Sequence, residues 1–426
     1  MRSFSAEVVV VGAGLAGACT ALELAEQGYD VLLIERDAAA MNRASLRNEG
    51  KIHLGLIYAN DPTLATAFLQ LRGALRFRPL LRRWLGDAFD QIAVSTPFQY
   101  LVAQDSVLAP DELTEHFECL QKQYLFEVSD DSTLDYIGRR PEYLYKLVED
   151  ADRRYFKSPR VSAEFETCEL AIDTADLARC VRARISGHER IDFRPGHLVY
   201  DIQEQGPVIR LSGSSASGPW TLHARHVVNA TWEDRLRLDR QFGLDVPPGW
   251  LHRLKYRIIA RLPEHLHGAP SATMVIGRYG DVVVRPDGTA YLSWYPSGMQ
   301  GWTHDIAPPA SWDPPCRGEV DNETKLRLST DFLRSIDDWF PGIGECQPML
   351  VDAGAIVAYG STDVDDRNSG LHDRARIGVM SVGHYHSLDP GKLTTAPYFA
   401  KIAADRVADA VRLDKSPGRK PALQPT

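Results

Sequence analysis

Three glycines near the start of the chain, Gly12, Gly14 and Gly17, are spaced G-x-G-x-x-G around Ala13, Leu15 and Ala16. That spacing makes a tight turn, admits a pyrophosphate close to the backbone, and packs a helix against its sheet. The first turn of the following helix carries unpaired N–H groups and a partial positive charge, both suited to phosphate. Glu35 lies about 20 residues on, where a carboxylate accepts hydrogen bonds from an adenosine ribose and disfavours a 2′-phosphate. The pattern predicts a dinucleotide and leaves FAD and NAD both open. Farther along, His53 has the titration range of a proton acceptor and is the first candidate for a catalytic base or for orienting a substrate hydroxyl. His384 and His386 flank Tyr385 in a second polar cluster, expected in a loop beyond the last strand. Lys392, next to a helix start at Leu393, could stabilise negative charge. Arg278, Arg285, Tyr291 and Tyr295 fall on a predicted sheet, where an arginine fork would match a carboxylate.

The elements needed to position these groups are legible around them. Val8 to Val11 is a β-branched run ending at Gly12, Leu15 to Gln27 has helical composition and stops at Gly28, and Asp30 to Ile34 supplies a second strand. Asp61-Pro62 starts a helix expected over 64–85, and another is expected from Ile172 to about Ile185. Short strands follow at 197–202, 208–211 and 227–230. From Leu254 to Trp294 the pattern changes to successive strands, two of them joined by Pro286-Asp287-Gly288, a hairpin signal. Ile377 to Val382 reads as the last strand, followed by a helix from about Leu393 to Val411; the segment 414–426 is expected to be a disordered tail.

The stretch Ser45-Leu46-Arg47-Asn48-Glu49-Gly50-Lys51-Ile52-His53-Leu54-Gly55 resembles the second flavin-contacting segment of the D-amino-acid-oxidase-like superfamily of FAD-dependent enzymes. Within it, Ile52-His53-Leu54-Gly55 is similar to L-2-hydroxyglutarate dehydrogenases and FAD-linked glycerol-3-phosphate dehydrogenases. Gly383 and Gly391-Lys392-Leu393-Thr394-Thr395-Ala396-Pro397 resemble the C-terminal flavin loop, while Glu169 to Asp173 and Val227-Val228-Asn229-Ala230 fit the middle of the family. The matches occur in the expected order, and that order selects FAD. The resemblance implies cofactor contacts at Arg36, Arg47, Gly50, Lys51, Ile52, His53, Val199, Asn229, Ala230, Gly383, Gly391, Lys392, Leu393 and Thr394, besides the glycine turn and Glu35. For His53 it leaves open contact with, or covalent attachment to, the flavin. The chain departs from the family at Thr231-Trp232, which replaces a usual glycine.

The expected fold is therefore α/β, a Rossmann-type FAD-binding domain (1–90, 160–235 and 345–413) interwoven with an antiparallel-sheet substrate domain (91–159 and 236–344). The length of 426 residues, with 44% apolar and 25% charged, suits such a two-domain globular protein. A formal charge of −9 argues against nucleic acid, and no apolar run approaches a membrane span. A cytoplasmic protein is expected. Six scattered cysteines without metal-type spacing predict free thiols and no metal site. The expected activity is removal of a hydride from a CH–OH carbon of a small polar substrate, a hydroxy acid, polyol or sugar derivative, with oxygen or a quinone as electron acceptor. Oxidation of a CH–NH bond is the alternative. A flavin monooxygenase is a further one, disfavoured because Gly383-His384-Tyr385-His386 stands where those enzymes carry Gly-Asp-Ala.

Overall fold

The computed structural model describes residues 2–415, with side-chain surroundings given for 5–414. Its first unit is β1 (Arg2–Val11), α1 (Leu15–Glu26) and β2 (Val31–Ile34). Val8, Val9 and Val10 are wholly buried because helices and further strands cover both faces of this sheet, which explains the unbroken apolar run. In spatial order the sheet contains Gly378–Val382, Tyr385–Asp389, Gly218–Asn229, β1, β2 and Ile191–Arg194, with Leu198–Gln205 and Val208–Ser215 attached through Gly218–Asn229. Strands β1 and β2 run parallel, with Val10 opposite Leu33, and Val10 also faces Val228 on the other side.

The second sheet has nine strands and is mainly antiparallel. Trp250–Arg261 is its longest-paired member, lying between Met299–Thr303, Thr289–Trp294 and Gln347–Tyr359. The expected hairpin is present: the Thr289 N–H and hydroxyl both donate to Asp287 Oδ1, and Gly288 takes a positive φ of 75°. Val161–Thr167 and Gln347–Tyr359 pair in this second sheet, although sequence placed 160–235 and 345–413 in the nucleotide-binding domain. Their partners lie far away in sequence, and local periodicity carries no trace of such pairing.

Two long helices, Pro110–Asp130 and Asn322–Asp337, were absent from the expected elements. Their signal was there: Leu113, Phe117, Leu120 and Tyr124 are buried at helical spacing, as are Leu328, Phe332 and Ile336. Gly378–Val382 is not the last strand. It turns back at Gly383 into Tyr385–Asp389, which runs parallel to Gly218–Asn229 with Tyr385 opposite Val227. The helix Ala396–Lys415 then packs on α1. Asp414 and Lys415, expected in a disordered tail, complete that helix, and residues 416–426 lie outside the described part. Among the described residues no helix is long and apolar enough to cross a membrane, and all six cysteines are free.

Glu23 on α1 ties the helical layer together. Its carboxylate accepts from Trp84 Nε1 at 2.7 Å and Arg83 Nη2 at 3.1 Å, with Lys401 Nζ 3.6 Å away. Arg83 is half exposed and regains water if the carboxylate is removed, whereas the buried indole N–H does not. Glu23→Ala should therefore cost about 1–3 kcal/mol, the desolvation penalty of one orphaned donor. Urea unfolding checks this, and an unchanged midpoint would show that the indole finds another acceptor.

Candidate functional site

The β1–α1 turn is built without room for side chains. A Cβ on Gly12, whose φ is +95°, would sit 2.7 Å from Ala230 O, and one on Gly17 would sit 1.9 Å from Gly12 O. Gly14 differs: its φ of −62° and ψ of 176° suit any residue, and a Cβ there meets only Ser45 Oγ at 3.1 Å. Its missing side chain serves the open space in front of the turn. Helix α1 begins with no acidic residue in its first turn, and its only local cap is Ser45 Oγ, which accepts from Leu15 N–H at 2.9 Å. Glu35 grips the same turn, accepting from Ala13 N–H at 2.8 Å and Asp37 N–H at 2.9 Å. Burial pushes its carboxyl above the usual range against those two backbone bonds. Two lone pairs per oxygen leave it acceptor capacity for a ribose hydroxyl.

From this turn a cavity of about 1580 Å³, counting its open mouth, runs along the carboxyl ends of the first sheet to Lys392. Its course from the glycine turn to Lys392 suits an extended dinucleotide. Gly12, Gly14, Leu15, Ala16, Glu35 and Arg36 line one end, while Gly391, Lys392, Leu393, Lys51 and His53 line the other. Arg47, Val199, Ala230 and Tyr291 lie between. Arg36 is held by Glu233 and by Asp234 at 3.3 Å, and Arg47 Nε lies 3.1 Å from Asp352. Gly17, Gly50, Ile52, Asn229 and Thr394, also expected at the cofactor, are not among the cavity's lining residues. Gly50 lets the chain pass Ile172, where a Cβ would lie 2.1 Å from its carbonyl oxygen.

His53 is fixed by a segment stitched to both sheets. The Lys51 ammonium is buried against Thr273 Oγ1 and Asp281 Oδ1, the latter at 2.9 Å, so it is spent on the second sheet. The Ile52 carbonyl accepts from Tyr136 OH at 2.7 Å, His53 N–H donates to Thr394 Oγ1 at 3.0 Å, and Leu54 N–H donates to Glu169 Oε1 at 2.6 Å. Glu169 also takes Tyr100 OH at 2.5 Å. The imidazole is 3% exposed, and neither ring nitrogen has a hydrogen-bond partner. Glu49 Oε1 stands 3.5 Å from Nε2. Burial lowers the His53 pKa below its usual value, partly opposed by Glu49, so the ring is neutral at pH 7. Burial would raise Glu49, yet His53, Lys392 and Lys255 hold its carboxylate well below the usual range.

His53, Glu49, Lys255 and Lys392 also line a second, adjoining cavity under the antiparallel sheet. Its cations are Arg253, Lys255, Arg374 and Lys392, and no carboxylate lies within ion-pair distance of Lys255, Arg374 or Lys392 among the described residues. Of its acids, Asp281 is committed to Lys51 and Asp61 to the Thr63 and Thr66 backbones; Asp363 lies 3.7 Å from Arg253 Nη1, which leaves Glu49 to balance Lys255, Arg374 and Lys392. Arg253 is buried, donates to Tyr295 OH at 3.0 Å and keeps Nε without a partner. Burial lowers the Lys392 pKa to about 8, partly opposed by Glu49.

Several expected positions fall elsewhere. Tyr295 lines the second cavity, but Arg278 is half exposed and paired with Asp363 and Asp365, and Arg285 is paired with Asp173 at 3.0 Å; neither lines a cavity. Gly383, His384 and His386 are also outside both. They lie at the amino end of the last parallel strand, whereas ligands in such sheets bind beyond the carboxyl ends, here at Pro390 to Leu393. The contrast with the monooxygenase motif, drawn at Gly383, loses its place with them. Asn229 is a buried brace, donating to Asp239 Oδ1 at 2.9 Å and Tyr385 OH at 2.8 Å. Trp232, in the Thr231-Trp232 pair that replaces the family's usual glycine, adopts the left-handed conformation that glycine favours (φ +54°). Arg253, Lys255 and Arg374 escaped sequence reasoning: the strand was started one residue after Arg253, and Arg374 sits in an irregular loop with no local signal.

The model of the FAD dependent oxidoreductase (DAO) family matches residues 7–406, and the chain belongs to that family. It is an FAD-dependent oxidoreductase with FAD as its cofactor. Among solved structures it is similar to glycine oxidase from Geobacillus kaustophilus, with TM-score 0.66, 14% identity and coverage of 97% of this chain and 96% of that one. It is also similar to L-alpha-glycerophosphate oxidase from Mycoplasma pneumoniae with FAD bound (TM-score 0.63, 15% identity, 95% of each chain). At these identities the likeness establishes the fold. A 79-residue stretch is 40% identical to the tRNA 5-methylaminomethyl-2-thiouridine biosynthesis bifunctional protein MnmC of Pseudomonas entomophila, covering 18% of this chain and 11% of that protein's length. The residues present fit FAD. The glycine turn offers a backbone cradle that a side chain would fill, and the cavity continues to the unpartnered His53 ring. Gly14→Val should retain the fold and lose the flavin, read as visible absorbance per chain after desalting beside circular dichroism. A variant with wild-type flavin content would remove the diphosphate from this turn.

Proposed function

We propose that the protein oxidises a CH–OH carbon of a small anionic substrate, first among them a hydroxy acid, with His53 accepting the hydroxyl proton. The observation that supports this is the neutral, unpartnered imidazole shared by the two cavities, with the Glu49 carboxylate beside it. A hydroxyl must lose its proton as the hydride leaves, so it needs such a base; a neutral amine does not. Bound FAD supplies the two-electron acceptor. Arg253, Arg374, Lys255 and Lys392 hold the substrate's anionic group and orient its carbinol carbon. Oxygen or a quinone then takes the electrons.

The cationic wall would equally hold an amino acid, and the likeness to glycine oxidase supports CH–NH oxidation as a second reading. Anaerobic mixing with a panel of hydroxy acids, glycerol phosphates and amino acids separates the two. Bleaching of the flavin by hydroxy acids alone is the expected result, and bleaching by amines alone overturns it. His53→Ala should slow reduction by hydroxy acid about 10²- to 10⁴-fold while keeping the flavin; an unchanged rate would exclude His53 as the base.

The pH dependence has a definite sign. His53 is an acceptor only when neutral, and its lowered pKa puts the acid limb of kcat/KM below pH 6.5. Lys392 holds its charge below a pKa of about 8, so substrate binding should weaken above that pH. Lys392→Arg, which does not titrate there, should carry the plateau to higher pH. An alkaline limb unmoved by that change would take Lys392 out of substrate binding.

A further inference from the structure

We propose that His226, His384 and Asp414 form a binding site for a divalent transition-metal ion, Zn²⁺ foremost, on the side of the first sheet away from the flavin cavity's mouth. One ligand atom from each side chain lies within 4.8 Å of the others. His226 Nε2 is 3.3 Å from Asp414 Oδ2, and His384 Nε2 is 3.3 Å from Asp414 Oδ1. Ligands held at 2.0–2.1 Å around a tetrahedral zinc ion stand about 3.3 Å apart, so small side-chain movements close the site.

The second observation is His226 itself. Its side chain is wholly buried, and neither ring nitrogen makes a hydrogen bond. A buried ring that makes no hydrogen bond, even with the Asp414 carboxylate 3.3 Å from its Nε2, is costly, and a metal ion removes that cost. The sheet register creates the arrangement. Val227 N–H bonds to the His384 carbonyl, placing His384, in the turn that leads into Tyr385–Asp389, beside His226 on the neighbouring strand, with ring centroids 4.6 Å apart. Tyr385, between His384 and His386, turns to the opposite face and bonds Asp239.

Arg225 Nε donates to Asp414 Oδ2 at 2.8 Å and orients the carboxylate as an outer partner. Two imidazoles and one carboxylate suit Zn²⁺ with water in the remaining position. The ion would pin the last turn of the helix Ala396–Lys415 to the strands Gly218–Asn229 and Tyr385–Asp389.

The test uses the flavin-loaded, full-length protein freed of metal with a chelator and titrated with Zn²⁺ against a chromogenic competitor. One equivalent should bind and raise the melting temperature. His384→Gln, a partly exposed position that spares the core, and Asp414→Asn should each weaken binding at least about tenfold and abolish the thermal shift, with flavin absorbance unchanged. Binding of no Zn²⁺ by the wild type, or equal binding and thermal shift in both variants through the cysteines, overturns the site.

Discussion

The distance between the β1–α1 turn and Ala230 governs the architecture of this protein. Backbone meets backbone there with no space for a Cβ on Gly12 or Gly17, so the amino end of α1 is pressed against the carboxyl ends of two adjacent parallel strands. Glu35 then clamps the turn from β2. The neighbouring turn accepts a compensating strain. Trp232 holds a positive φ that costs a non-glycine residue about 1–2 kcal/mol, and its indole N–H donates to Ala355 O at 2.9 Å in the second sheet. A glycine would take the same backbone conformation without strain but would not make that link. The cofactor cradle of the first sheet is thereby tied to the roof over it.

The segment 51–54 makes the second tie, and its arrangement decides which charges remain for chemistry. Lys51 neutralises Asp281 and Glu169 receives a backbone N–H and a tyrosine hydroxyl, so one cation and two acids are withdrawn from the cavities. What is left is a cluster of cations facing Glu49. Such an excess is expensive in a cavity unless an anion enters it; burial, together with Arg374, Lys255 and Arg253, lowers the pKa of Lys392. Charge balance therefore argues for substrate chemistry that the sheet topology alone would leave undefined.

Legibility in the sequence followed the range of the interactions. The β1–α1–β2 unit and the hairpin at Asp287 are local patterns; α1 and β2 keep their expected bounds to within a residue, while β1 starts earlier than expected, at Arg2. The long pairing of Trp250–Arg261 with Gln347–Tyr359 joins segments about a hundred residues apart, and no periodicity marks it. The cationic wall was invisible for a related reason: Arg253 lies on one of those strands and Arg374 in the irregular loop that follows the other, and no local spacing joins them. The helices at 110–130 and 322–337 were different, since their apolar spacing was plain and went unread.

Histidine placement shows why composition and titration do not locate a site by themselves. His53, His226 and His386 are all buried, and burial lowers the pKa of each. A perturbed pKa marks a candidate functional residue, but ordinary burial perturbs it too. Strand polarity separates them. His53 stands beyond the carboxyl ends of the parallel strands, where the sheet opens into a cavity, and His386 enters its strand at the amino end, where neighbouring strands and the helix Ala396–Lys415 close over it. Reading Gly378–Val382 as the last strand put His384 and His386 at the wrong end of the sheet. One unrecognised reversal at Gly383 was enough to exchange the far end of the sheet for the candidate site.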